Sequence, residues 1–237
     1  MTLKFENRYA KLGERFSFAI DADPLSNPKA VIINVALLKP LGLDNYTQDD
    51  LLALFSGHQT PKDASPLAMV YAGHQFGGYS PQLGDGRGVL IGQVRDSENK
   101  LVDLHLKGAG KTPFSRMGDG RAVLRSCIRE FLASEALFHL GIPTTRALAI
   151  TTGNEQVRRE TIENAAMLMR ASDSHIRFGS FEYFSYTDQH TELKQLCDYT
   201  IETHFPKLKN SASSWIFDAC KHALGVSIMV PRENLVV

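Results

Sequence analysis

The chain reads as an α+β protein built on an antiparallel sheet with one long embedded helix, and three observations carry that reading. Two short apolar runs, residues 89–94 and 101–106, flank the polar Asp96-Ser97-Glu98-Asn99, which is the pattern of a β-hairpin. A strong helical pattern spans residues 121–140, with Asp119 near its N-cap and Gly141-Ile142-Pro143 to stop it. Strand-like segments then follow at 147–151, near Val157 and at 166–169, without the regular strand–helix alternation of a doubly wound parallel sheet.

The remaining elements are placed in order. Residues 1–28 are mixed and polar and end in the turn-rich Asp23-Pro24-Leu25-Ser26-Asn27-Pro28. The apolar run 31–38 suits a strand or a short buried segment. A helix is expected over 47–55, capped by Thr47, with Asp49 and Asp50 in its first turn and Gly57 past its end. Apolar residues 66–71 lead into Gly73-His74-Gln75-Phe76-Gly77-Gly78, read as a loop or helix-breaking turn. A turn is expected at Gly153-Asn154, and helical patterns resume around 178–184 and 192–204.

With 237 residues, 43% of them hydrophobic and 22% charged, the chain suits one large soluble domain or two small ones. Its 26 basic and 26 acidic residues cancel, which argues against bulk binding to nucleic acid or to a membrane surface. Cys127, Cys197 and Cys220 are odd in number and far apart, so a reducing compartment is expected. The N-terminus lacks an apolar leader core and no stretch is long enough to span a membrane, pointing to a cytoplasmic protein. The eight histidines show no metal-ligand spacing.

Charge is nonetheless concentrated locally. From Lys107 to Arg129 there are six basic residues (Lys107, Lys111, Arg116, Arg121, Arg125 and Arg129) against the single acid Asp119. They lie among two glycine-rich turns, Leu83-Gly84-Asp85-Gly86-Arg87-Gly88 and Gly118-Asp119-Gly120-Arg121. Glycines let backbone N–H groups approach a ligand closely, and beside positive charge they suit a polyphosphate. Each feature has a plainer reading: a hairpin turn, a strand-end lysine, or, for Arg125 and Arg129, a solvated helix stripe. The ordered set points to a nucleotide site.

Gly108-Ala109-Gly110-Lys111-Thr112 tempts a P-loop reading, but that motif needs a glycine where His105 stands, and Pro113, Gly118 and Gly120 interrupt the helix it should open. The better fit is a kinase-like arrangement, in which a strand-end lysine is held by a glutamate on the next helix. Val102, Leu104 and Leu106 alternate with Asp103 and His105, so Lys107 ends a half-buried strand. Glu130, among Val123, Cys127, Ser134 and Leu137, faces inward and needs a cationic partner. Spacing favours Glu130 over its rival Glu135.

The chain closely resembles the selenoprotein O (SelO/YdiU) family. The resemblance is carried by Tyr71-Ala72-Gly73-His74-Gln75-Phe76-Gly77, Gln82-Leu83-Gly84-Asp85-Gly86-Arg87, Leu106-Lys107-Gly108-Ala109-Gly110, Thr112-Pro113-Phe114-Ser115-Arg116 and Gly118-Asp119-Gly120-Arg121. It continues through Arg129-Glu130-Phe131, Gly141-Ile142-Pro143-Thr144-Thr145-Arg146, Arg170-Ala171-Ser172 and Ile176-Arg177-Phe178-Gly179-Ser180, and covers roughly residues 5–207. It implies a protein-kinase-like fold and transfer of AMP from ATP, or UMP from UTP, to Ser, Thr or Tyr hydroxyls of protein substrates, with Mg²⁺ or Mn²⁺. It further implies that Gly84, Gly86, Arg87, Lys107, Asp119, Gly120, Arg170 and Arg177 contact the nucleotide, and that Glu130 pairs with Lys107.

The family's catalytic loop, roughly H-G-V-x-N-x-D-N, and its D-Y-G-P stretch, which supply the general base and the metal ligands, do not occur here. His222-Ala223-Leu224-Gly225-Val226 is a faint echo. The expected organisation is therefore a family-specific extension at 1–70, a kinase-like N-lobe with the nucleotide clamp and an αC-type helix at 71–171, the start of a helical C-lobe at 172–209, and a divergent tail at 210–237. With the C-lobe largely missing, the chain is expected to be truncated or frameshifted and its transfer impaired, or to be a non-catalytic pseudoenzyme remnant that binds nucleotide.

Overall fold

The structure is a computed structural model that describes residues 3–206. In chain order its elements are β1 (Ser17–Ala19), β2 (Lys29–Ile33), α1 (Val35–Leu38), α2 (Gln48–Phe55), β3 (Leu67–Met69), β4 (Gly73–Gln75), β5 (Gly78–Ser80), β6 (Gly88–Arg95) and β7 (Leu101–Lys107). They continue with β8 (Ala122–Val123), α3 (Leu124–His139), β9 (Arg146–Arg158), β10 (Ile162–Ser172), α4 (Phe178–Tyr186) and α5 (His190–His204). The described residues divide into two compact units, 3–69 with 85–175, and 70–84 with 176–206. The tail from 210 onward, read as divergent, lies outside the described residues.

The first unit is organised by an antiparallel sheet in the order β1-β3-β6-β7-β10-β9-β2, with β8 also pairing with β10. β6 and β7 form the expected hairpin. Its turn closes because Asn99 takes a left-handed conformation (φ 63°) while the Asp96 carboxylate accepts from the backbone N–H groups of Glu98 and Lys100. Strict alternation in β10 then sorts the core. Ala165, Met167 and Met169 pack on one face with Leu104, Leu106 and Leu148. Ala166 and Leu168 pack on the other with Cys127 and Phe131 of α3. Burial of a ring such as Phe131 contributes about 1.5–3 kcal/mol to holding α3 on the sheet.

Several local expectations change in the structure. Helix α3 begins at Leu124 because Ala122 and Val123 are drawn into the sheet, opposite Ala166 and Ala165. Asp119 therefore does not cap it: the N-cap is Val123, without a side-chain cap. Gly141 ends the helix as expected, at φ 76°, with Gly141 N–H on Phe138 O and Ile142 N–H on Leu137 O, a Schellman arrangement. No reversal occurs at Gly153-Asn154, since β9 runs on to Arg158. The glycine instead sits where Ser26 O approaches, 2.8 Å from where a Cβ would lie, at a register irregularity opposite Asn164 and Ala166. The run 31–38 splits into edge strand β2 and α1 and leaves Val31 and Ile32 exposed. Thr47 and Asp50 form the anticipated cap of α2 as a reciprocal capping box.

In the second unit, residues 73–80 form a β-hairpin rather than a loop, turning through Phe76 and Gly77 at φ 54° and 79°. Ala72 N–H donates to Gly179 O at 2.8 Å. A Cβ at Gly179 would sit 1.8 Å from Ala72 O, so the first turn of α4 admits only glycine there.

Candidate functional site

The pleat of β7 and β10 determines what can meet α3. Because Leu104 and Leu106 point into the opposite core, His105 and Lys107 project toward the α3 side, and Arg170 does the same from β10, in register with His105. The Lys107 ammonium donates to Glu130 Oε2, and Arg170 Nη1 donates to Glu130 Oε1 at 3.2 Å. One carboxylate thus holds two cations. Burial would raise the Glu130 carboxyl, but the charges of Arg170 and Lys107 outweigh it and hold the group below its ordinary value. An ammonium and a guanidinium are the side-chain donors that suit phosphate oxygens. Cys127, against the same ion pairs, is pushed up to about 11 by burial, which makes it a protonated packing residue.

Behind the cations lies a buried polar chain. Arg170 Nη2 approaches His105 Nδ1 at 2.8 Å, and His105 Nε2 approaches Asp85 Oδ2 at 3.3 Å. The His105 ring stacks on His175, with centroids 4.7 Å apart. His175 N–H donates to Asp103 Oδ2 at 2.7 Å, and Gln93 Nε2 donates to Asp103 Oδ1 at 2.8 Å. Burial first, and the Arg170 charge second, lower His105 to about 3, so it is neutral at physiological pH. β7 is accordingly buried on both faces, with Asp103 3% and His105 1% exposed, and not half-buried as alternation suggested. His105, Asp103 and Gln93 were absent from the sequence-derived site, because polar residues alternating with apolar ones read as solvent-facing. The available signal was Gly88, where a Cβ would lie 2.4 Å from His105 Cε1, leaving room for the ring.

Glycines bring the turns together. Gly120, at φ 72°, lies against Gly110 so closely that a Cβ would fall 2.1 Å from the Gly110 carbonyl carbon. Arg121, 9% exposed, pins this pair by donating from Nη1 to Asp23 O and from Nη2 to Asp23 Oδ2, both at 2.6 Å. Asp119 accepts from Arg121 N and from both Arg159 Nη atoms. Hydrogen bonding to Arg159 holds its carboxyl below the ordinary range. Gly86 O accepts from Ser115 Oγ at 2.6 Å, and the Arg87 side chain is exposed. Lys111 is exposed and opens a turn, not a helix, so no P-loop is present there.

Of the residues singled out from sequence, Lys107, Glu130 and Arg170 meet directly, while Asp119 and Gly120 form the adjoining turn. Gly84 and Arg177 belong to the second unit, where both converge on Tyr71. Gly84 N–H donates to Tyr71 O at 3.0 Å, and the Arg177 guanidinium lies 4.2 Å above the Tyr71 ring. Glu135 is occupied elsewhere, bound by Arg146 Nε and Nη2, each at 2.7 Å. Among the described residues no group of three or more His, Cys, Asp or Glu side chains converges to hold a metal ion. These residues therefore do not by themselves fit a divalent cation. Among the same residues, no helix is long and apolar enough to cross a membrane.

A lysine and an arginine are thus gathered on one carboxylate beside glycine turns, and comparison with known proteins gives the chain a family. The chain belongs to the SelO family: the family described as protein adenylyltransferase SelO matches residues 1–223. It is 56% identical over 208 residues to the protein nucleotidyltransferase YdiU of Stutzerimonas stutzeri (strain A1501), covering 87% of this chain and 43% of that protein. It is 51% identical over 216 residues to the protein of that name from Ectopseudomonas mendocina (strain ymp), covering 90% and 44%. A further relative of the same name, from Pseudomonas aeruginosa (strain LESB58), is 55% identical over 205 residues, covering 86% and 42%. The chain thus spans less than half the length of these relatives.

Proposed function

We propose that the chain carries the nucleotide clamp of a protein nucleotidyltransferase with a protein-kinase-like lobe, which transfers AMP from ATP, or UMP from UTP, to Ser, Thr or Tyr hydroxyls of proteins. The observation that carries this reading is the gathering of Lys107 and Arg170 on Glu130. In such a transfer the hydroxyl loses its proton to a base or to solvent and its oxygen bonds to the α-phosphorus, while the bond to pyrophosphate breaks. Negative charge grows on the non-bridging oxygens and on the leaving group. Cations already fixed in place stabilise that charge without reorganising. Gly84, Gly86, Arg87, Asp119, Gly120 and Arg177 complete the proposed nucleotide contacts. Mg²⁺ or Mn²⁺ would come with the triphosphate.

A second reading, nucleotide binding without transfer, is favoured by one feature of the sequence: no stretch reads H-G-V-x-N-x-D-N, so this chain supplies no general base of that pattern. Both readings require binding of ATP or UTP. The purified chain should bind ATP, and Lys107→Ala should weaken binding about tenfold or more, near 1.4 kcal/mol. Incubation with labelled ATP and Mg²⁺ or Mn²⁺ separates the two: robust label on protein supports transfer by this chain, and binding without label supports the remnant. Absence of binding to both ATP and UTP would sink both.

A further inference from the structure

The nucleotide reading uses Lys107, Glu130 and Arg170 but leaves unexplained a buried imidazole behind them. We propose that His105 is a positioning residue for the clamp, fixing the orientation of the Arg170 guanidinium by accepting its Nη2–H at Nδ1 while donating its own Nε2–H to Asp85. The inference rests on the nucleotide-clamp reading and adds a residue that never touches the ligand.

The proton arrangement follows from donor chemistry. A guanidinium only donates, so Nδ1, 2.8 Å from Arg170 Nη2, must be the acceptor. The ring proton is then on Nε2, where the Asp85 carboxylate at 3.3 Å accepts it. The ring has no freedom to choose otherwise. His175 stacks on it at an interplanar angle of 20°, and the Gly88 backbone lies too close for any side chain. Asp85 is itself fixed, accepting from Met69 N at 3.1 Å through Oδ2 and from Thr112 Oγ1 at 2.8 Å through its carbonyl. Arg170 is therefore gripped on two nitrogens, by Glu130 on Nη1 and by His105 on Nη2. A guanidinium so held meets an anion without first losing rotamer freedom. The same contacts tie the first glycine turn, through Asp85, to the clamp.

Two substitutions separate positioning from packing. Asparagine places its Oδ1 near the Nδ1 position and keeps an acceptor for Arg170, whereas glutamine places its amide nitrogen near Nε2 and keeps only the Asp85 side. ATP affinity of the full chain is measured calorimetrically for the parent, His105→Asn, His105→Gln, Arg170→Ala and His105→Gln/Arg170→Ala. Arg170→Ala should lose about tenfold or more, His105→Gln about fivefold and His105→Asn no more than about twofold, with the double variant no weaker than Arg170→Ala, as coupled residues behave. Equal losses in both position-105 variants, or additive loss in the double variant, would overturn the inference while leaving the clamp intact. Binding of neither ATP nor UTP by the parent would overturn the clamp reading and the inference together. Ring ¹⁵N shifts of His105 in the unsubstituted chain give an independent reading: a bare Nδ1 and a protonated Nε2 are expected, and the opposite tautomer sinks the proposal even if a variant fails to fold.

Discussion

Two glutamates on one helix illustrate how position outweighs residue type. Glu130 accepts from the two cations of the clamp, whereas Glu135, little more than a helical turn further on, ties α3 to β9 through Arg146, whose guanidinium also lies 3.4 Å over Phe138. Glu135→Gln should therefore lower stability by about 1–2 kcal/mol, the exposed part of the pair screening the rest, and leave ATP affinity unchanged. Glu130→Gln should weaken ATP binding by releasing Lys107 and Arg170, and titration of the two variants side by side checks the contrast. His105 sets the pH response. Its folded value of about 3 lies below the ordinary 6.5, so the unfolded chain takes up a proton that the folded chain refuses. Stability is full above pH 6.5 and falls as the solution is acidified toward 3, by up to about 1.4 kcal/mol per pH unit. Glu130 and Glu135, held below their ordinary 4.5, add their losses only at lower pH. Unfolding free energies from urea titrations at pH 7.5 and pH 5 should differ by about 2 kcal/mol more in the parent than in His105→Gln; equal differences would refute this.

Elements were legible where one rule acted alone. The β6–β7 hairpin, the Thr47 cap of α2 and the glycine stop of α3 each depend on local chemistry, and each is found. Reading failed where a distant partner intervened. Ala122 and Val123 look like the start of a helix until β10 pairs with them, and Gly153 looks like a turn until Ser26 approaches it. Asp103 and His105 look solvated because alternation says nothing of a second covered face. The second glycine turn is the sharpest case for element-level testing. Gly120→Ala combines a left-handed φ with a Cβ 2.1 Å from the Gly110 backbone, and should cost more than about 3 kcal/mol. Gly118→Ala, whose Cβ would meet Ser115 O at 3.0 Å without a positive φ, should cost far less. Thermal denaturation of the two variants decides, and similar midpoints would show that the Gly110–Gly120 contact yields easily.

At the scale of the molecule, the antiparallel α+β character was readable, because a hairpin and a long helix were both strongly patterned. Strand order was not, since it depends on which edges meet after folding. β7 and β10 sit inside the sheet and carry Lys107, His105 and Arg170, while β1 and β2 lie at its edges. Amide hydrogen exchange should therefore be slowest in β7 and β10 and fastest in β2, whose side chains are largely exposed. Comparable rates in β2 and β10 would contradict this. Lys107 and Glu130 were legible from alternation and spacing, and Arg170 through the family resemblance, but the polar chain beneath them was not, because burial is not written locally.

The alternation along β10 has a consequence for how this chain can change its length. Met169 and Arg170 are neighbours facing opposite sides of the sheet, one into hydrocarbon and the other toward Glu130. A single residue inserted just before them would exchange the two, presenting a thioether to the carboxylate and driving a guanidinium into the core. Two inserted residues would restore both faces. Either insertion breaks the grip on Glu130, the even one by carrying the guanidinium about 7 Å along the strand, so the clamp fixes the length of this strand as well as its faces.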